Sequence, residues 1–433
     1  MRRRRRAIVV ALDGVGIDLL RAAIAAGSVP QLAALAGTGG PRPVAALPPA
    51  SPQSAWATFT TASNPGRHGI FGLTQPGRHL RIRVASADYL RMPTVWERAA
   101  TDGLSSVVVG LPGTFPARRM SGSLVAGYVV ASPERLCHPR SLQALLTNVG
   151  YRPDVDVGLA ETDPSAFAAE LVASVERRVE LMRMLLEADR WSLAVLAFTE
   201  LDRLGHAWGP SLAGDDDGVA AARDVMAAVL ATIDGFVGEL RAAHPTARLL
   251  VLSAHGVAPI GRLVNLDAWL TDAGHLQRDA DGALGDGTVA FSMDGGRIYV
   301  HAARMFAEGR LGGGSVMPLM DQIADDLARL RTRDGATPLA AVFRRREIYQ
   351  GPHARAAPHL VCVPAPGWGV VSSRELPLDG PSAPMRGGHR HDLAFVIGDL
   401  PAEGPAPRLE DVGATVLSHL GLYADDVDGI PIA

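Results

Sequence analysis

Four groups of polar residues stand beside apolar runs, and their types are those of metal ligands. Asp13 follows Ala7–Leu12, Asp202 and His206 follow Leu193–Phe198, and His255 follows Leu249–Leu252. His389, in "GGHRHDLAF", precedes its run, Leu393–Ile397. Aspartate oxygen and neutral imidazole nitrogen are the usual oxygen and nitrogen ligands of Zn²⁺ and related ions such as Mn²⁺. Asp202 and His206 are four apart, so one helical turn brings both side chains to one point. Alone, such a pair is weak, because a solvated helix face explains it equally well. A nucleophile comes from Ser51-Pro52, an N-cap serine before a first-turn proline. Backbone N–H groups at such a helix start attract phosphate. A metal that lowers the hydroxyl pKa would make the serine a nucleophile. The plain alternative is that Ser51 only caps the helix.

Positioning these groups requires strands that alternate with helices. Ala7–Leu12 reads as a strand feeding the turn Asp13–Gly16 and a helix from about Ile17. Ser105–Gly110, Leu193–Phe198, Leu249–Leu252, Arg297–His301, Leu360–Val363 and Leu393–Ile397 read as further strands. Asp163-Pro164 opens a long helix whose apolar face is Phe167, Leu171, Val175, Val179, Met182 and Leu186. Residues 219–242 read as mainly helical, and Leu409–Leu420 is a helix stopped by Gly421. The expected fold is α/β, with a mainly parallel central sheet sandwiched by helices. Ligands in such sheets bind beyond the carboxyl ends of the strands. Proline and glycine cluster in 40–52 and 364–388, which read as loops. One catalytic domain over 1–433 is expected, with a cap subdomain inserted at 262–385.

Composition narrows the partners. Of 433 residues, 47% are hydrophobic and only 5% aromatic, so the core must be mostly aliphatic, as the strands of a parallel sheet require. A net charge of -3 gives no global pull toward nucleic acid or an anionic membrane. Two cysteines exclude a cysteine-rich metal site and fit a cytoplasmic protein. The start, MRRRRRAIVVAL, imitates a signal peptide, but its apolar run is short and meets Asp13, so a first strand is the reading. No uncharged apolar stretch is long enough to span a bilayer. The phosphate-attracting helix start at Ser51-Pro52, not composition, points to a small phosphorylated substrate, and a homo-oligomer is compatible with the chain.

The motifs, in order, resemble the type I phosphodiesterase/nucleotide pyrophosphatase branch of the alkaline phosphatase superfamily. "VVALDGVGIDLL" resembles the first-strand metal motif, and "PPASPQSAWATFTTASNPGRHGIFG" the nucleophile helix and the turn behind it. "FTELDRLGHAWG" resembles the Asp-x-x-x-His motif, and "VLSAHG" stands where the family writes Ser-Asp-His-Gly. "GGRIYVH", "RREIYQGPHARAAPHL", "GGHRHDLAFVIG" and "LEDVGATVLSHLGL" follow in family order. The resemblance implies an alkaline-phosphatase-like fold and two neighbouring metal sites. Asp202, His206 and His389 would form the first. Asp13, His255 and the serine oxygen would belong to the second. In such a site the ions, ~3.5–4 Å apart, stabilise the attacking and leaving oxygens while Ser51 attacks phosphorus.

The departures are as informative. Ala254 replaces the aspartate of the second site, and a methyl group cannot bind a cation. Glu200 and Asp215–Asp217 are the nearest acids in sequence that could substitute. The nucleophile segment is one residue longer than the family spacing, so Ser54 competes with Ser51, and the Ser-Pro pairing favours Ser51. Gly72 stands where an acid often follows, Leu73 where nucleotide pyrophosphatases place asparagine, and His359 where the family writes Pro-Asp-Leu. Three functions follow. The first is a metal-dependent hydrolase of phosphate mono- or diesters, or phosphonates, with one or two Zn²⁺ or with Mn²⁺. The second is a degenerate member that binds a phosphorylated ligand without turnover. The third is a repurposed enzyme with a single metal.

Overall fold

Ala7–Leu12 is six apolar residues, all buried. Its backbone can be satisfied only by strands on either side, and it has both. In the computed structural model it pairs in parallel with Leu193–Phe198 on one side and Arg248–Ser253 on the other. The structure describes residues 5–188, 190–213, 217–381, 387–401, 404–423 and 425–432, without the side chains of 210–219. The full sheet runs Arg42–Pro43, Phe395–Gly398, Arg248–Ser253, Ala7–Leu12, Leu193–Phe198, Ser106–Val109, Gly122–Val125, Cys137–His138. The five central strands are parallel, and the three outer pairings are antiparallel. Strands buried on both faces need a helical layer on each side. One helix group is Pro164–Ala188 with Glu200–Ala213 and Asp217–Ala243; another is Pro52–Thr61 with Leu409–Leu420. The mixed α/β architecture read from the sequence is the one observed.

Local chemistry sets the ends of these elements. Asp163 Oδ1 accepts from Ala166 N at 2.9 Å and starts the long helix, whose six expected apolar positions are all buried. Gly421, at φ +80°, ends Leu409–Leu420. One expectation fails. The stretch 364–388, read as loop, contains the strands Gly367–Val371 and Asp379–Pro381 and the start of Gly387–Arg390. All three pair with one ten-residue strand, Gly256–Asn265. They are too short to show a period of two, and their partner supplies the order their composition lacks. Arg42–Pro43, inside the other expected loop, is likewise an edge strand.

A second core, from Val264 to Cys362, covers an antiparallel sheet ordered Ala290–Met293, Arg297–Val300, Leu360–Pro364, Leu339–Arg344. Among the described residues no single helix is long and apolar enough to cross a membrane.

The turn that carries Asp202 is pinned by a buried ion pair. Glu200 Oε1 accepts from Arg178 Nε at 2.9 Å and from Ser174 Oγ at 2.8 Å, and its Oε2 accepts from Thr199 N at 2.9 Å. Both ionic side chains are 1% exposed. Removing one charge strands the other in the interior. Glu200→Gln is therefore expected to lower the unfolding free energy by about 3–5 kcal/mol in urea denaturation. An unchanged midpoint would contradict this role.

Candidate active site

Three adjacent strands deliver the first residues. Asp13 follows Ala7–Leu12, Asp202 sits in the first turn after Leu193–Phe198, and His255 follows Arg248–Ser253. Asp13 N donates to Phe198 O at 2.8 Å, and Val257 N to Gly14 O at 2.9 Å, so the three strand ends are tied together. Gly14, at φ +74°, lets the turn lie on Asp202: a Cβ there would be 2.5 Å from Asp202 Cα. His389 arrives from the second layer. Its strand, Gly387–Arg390, pairs antiparallel with the segment that follows His255, and His389 is opposite Val257.

Asp202, His206 and His389 converge. His389 Nε2 is 3.0 Å from Asp202 Oδ1 and 2.8 Å from His206 Nε2. His206 Nε2 is 3.6 Å from the same carboxylate oxygen. His206 Nδ1–H donates to Gly387 O at 2.9 Å, which leaves the lone pair on Nε2, the form a metal ligand needs. These three residues fit a divalent cation. Burial opposes the charge on Asp202, yet His206, His389 and Arg203 hold its carboxyl far below the usual range. Burial and the neighbouring imidazoles push His389 down to about 3.

Asp13 and His255 form a second pair, both fully buried, with Nε2 3.0 Å from Oδ1. Their other atoms, Asp13 Oδ2 and His255 Nδ1, have no hydrogen-bond partner among the described residues. With Asp202 they make a second convergent group, every ligand atom within 4.8 Å of the others. Asp202 thus belongs to both groups. Burial and the Asp202 charge raise the Asp13 pKa, partly offset by His255 and Trp56.

The two serines separate. Ser51 is the N-cap residue of Pro52–Thr61, but its side chain makes no capping bond. Its hydroxyl donates to Gln53 Oε1 at 3.2 Å and lines a cavity of about 350 Å³ shared with His206 and His389. Ser54 is buried, donates to Ile70 O at 2.9 Å, and does not line that cavity.

The family model of type I phosphodiesterase/nucleotide pyrophosphatase matches residues 7–392. The chain belongs to this family. Phosphonoacetate hydrolase from Sinorhizobium meliloti 1021, in complex with phosphonoacetate, has the same fold at 18% identity and a TM-score of 0.60, covering 96% of each chain. Murine ectonucleotide pyrophosphatase/phosphodiesterase 5, an inactive form in complex with AMP, has 16% identity and a TM-score of 0.56, covering 98% of this chain and 97% of its own. The human protein of that name has 14% identity and a TM-score of 0.56 over the same shares. No curated protein matches in sequence.

Against the family pattern, Ala254 is buried in the main core, and among the described residues no acid other than Asp13 and the shared Asp202 joins the second group. Glu200 is committed to Arg178. Asp215 and Asp216 lie outside the described residues, as does the side chain of Asp217. At Gly72 a Cβ would be 2.5 Å from Arg297 Nη1, so this arginine fills the space of the family's acid. Leu73 lines the cavity.

Three site neighbours escaped the sequence reading. Trp56 is fully buried yet donates Nε1–H to Asp13 Oδ1 at 2.6 Å. Arg203 adjoins Asp202 in the quoted motif and could have been noticed there. It binds Asp154 at 2.7 and 2.9 Å, donates to Asp202 Oδ2 at 3.1 Å, and lies 3.9 Å over the Tyr128 ring. Tyr128 lines the cavity and has no sequence signal. Trp56→Phe keeps the packing but removes the donor. It is expected to lower the unfolding free energy by about 1.5–3 kcal/mol, read by chemical denaturation. A loss no larger than that of Phe59→Leu, a core change without a polar bond, would assign Trp56 to packing alone.

Proposed function

We propose that the protein hydrolyses a phosphate mono- or diester, or a phosphonate, with Ser51 as nucleophile. One observation carries this reading: a serine hydroxyl free of its capping duty lines the same cavity as two histidines of a convergent Asp-His-His set. Family membership supports it. So does the chemistry of the fold neighbours, one a phosphonoacetate hydrolase and two named for nucleotide pyrophosphatase/phosphodiesterase activity.

Asp202, His206 and His389 would hold Zn²⁺ or Mn²⁺, with Asp13 and His255 beside them. Such an ion supplies Lewis acidity, drawing charge from the phosphoryl group and easing ionisation of a nearby hydroxyl. The chain's residues do the rest. Ser51 Oγ forms the bond to phosphorus as the bond to the leaving group breaks, and the leaving group takes up a proton. Water then cleaves the phosphoserine, releasing phosphate or a phosphate monoester and restoring the hydroxyl. The start of Pro52–Thr61 presents unpaired N–H groups to the anion. Burial and the charges of Asp13 and Asp202 keep the Tyr128 phenol protonated, so it offers a donor on the cavity wall.

A second reading rests on Ala254. With one acid missing, a single ion at Asp202, His206 and His389 could serve a repurposed reaction that does not use Ser51. Kinetics with bis(p-nitrophenyl) phosphate and p-nitrophenyl phosphate separate the two. Ser51→Ala is expected to lose at least about a hundredfold in kcat/KM, and Ser54→Ala less than about tenfold. Activity that survives Ser51→Ala would sink the serine mechanism and favour the single-ion reading.

A further inference from the structure

A second cavity lies at the far end of the small antiparallel sheet. Arg297–Val300 and Leu360–Pro364 run between the two cavities. Arg297, Cys362 and Pro364 border the first, while Ala302 and His359, beyond the opposite ends of the same strands, border the second. The second measures about 660 Å³ and shares no lining residue with the first.

Its charge is one-sided. Arg304, Arg345 and Arg355 line it, and among the described residues no carboxylate does. None of the three has an ion-pair partner among the described residues. Arg345 donates to Pro358 O at 3.3 Å and to Ala357 O, both uncharged acceptors. Burial pushes its guanidinium down to about 10, and the nearby groups that oppose this are phenols, Tyr299 and Tyr349.

Position 359, where an acid was expected, accounts for the imbalance. His359 is 4% exposed, and its Nδ1 accepts from Val300 N at 3.0 Å. The ring proton is therefore on Nε2, which has no partner among the described residues. Burial and Arg345 push this imidazole down to about 3, so it stays a neutral donor. His359 lines the cavity, so this N–H is left for solvent or a ligand there.

The helix Gly313–Ala328 adds to the same potential. Gly313 lines the cavity, the N-cap Gly312 has no side chain, and no acid occupies the first turn. A methyl at Gly313 would lie 3.5 Å from Arg304 Cζ, so a guanidinium faces the positive pole of this helix. That placement opposes stability, and residues retained against stability mark function. Met305, Val316 and Met317 form the apolar wall, and Met317 is 42% exposed.

We propose that this cavity binds an organic oxyanion, a phosphate or carboxylate head on an apolar group. The head sits among Arg304, Arg345, Arg355 and the His359 Nε2–H, and the apolar part lies on Met305, Val316 and Met317. Among the described residues no hydroxyl, thiol or carboxylate side chain lines the cavity, so the ligand is held and not transformed.

Calorimetric titration of the full chain with octanesulfonate, a non-hydrolysable amphipathic oxyanion, tests this. Saturable binding is expected, weakened tenfold or more in Arg304→Gln/Arg355→Gln and unchanged in Ser51→Ala. Inorganic sulfate is expected to bind at least tenfold more weakly. Without ligand, Arg304→Gln is expected to raise the melting temperature by about 1–2 °C, because it removes a cation from a positive helix pole. Absent binding, equal affinity in the double variant, sulfate binding as tightly, or a lowered melting temperature would each overturn the proposal.

Discussion

Two fully buried carboxylates, Asp13 and Asp202, meet at the ends of neighbouring strands, and the site is organised around keeping them there. Burial and the Asp202 charge raise the pKa of Asp13, while His206, His389 and Arg203 hold Asp202 ionised against its burial. Carboxylates this close and this dry need compensating positive charge or donors. The chain supplies His255 and Trp56 to Asp13, and His206, His389 and Arg203 to Asp202. Trp56 comes from Pro52–Thr61, His389 from Gly387–Arg390, His255 from the end of Arg248–Ser253, and Arg203 and His206 share Glu200–Ala213, so the sheet register, the turn at Gly14 and the strand Gly387–Arg390 all bear on satisfying this pair.

Ala254 acts on the same balance. The family's aspartate would place a third carboxylate in this group. In its absence the second group consists of Asp13, Asp202 and His255, with Asp202 common to both groups. The main core closes over the alanine methyl. The second group thus has one carboxylate fewer than the family pattern, although Asp13 and Asp202 still give it two against the single carboxylate of the first group.

Much of this was legible because strand ends carry their signal locally. A run such as Leu193–Phe198 followed by Asp202 and His206 marks the strand and brings two candidate ligands to its end, and His255 follows the same logic. Ser51 and Ser54 could not be resolved by spacing alone. What separates them is which face of one helix meets the cavity and which meets Ile70 O. The Trp56 hydrogen bond to Asp13 spans 43 positions, so nothing local to either residue signals it. The short strands within 364–388 depend on pairing with Gly256–Asn265 and have no period of their own. The meaning of His359 was hidden for a similar reason: only the fold sets it beside Arg345.

The central claim is that Asp202, His206 and His389 hold a divalent ion. Metal content per chain, by elemental analysis after dialysis against Zn²⁺ or Mn²⁺, tests it most directly when wild type is compared with His389→Ala. The account predicts at least one tightly held ion in the wild type and loss of that ion in the variant. A wild-type chain without metal, or a content that His389→Ala leaves unchanged, would contradict it.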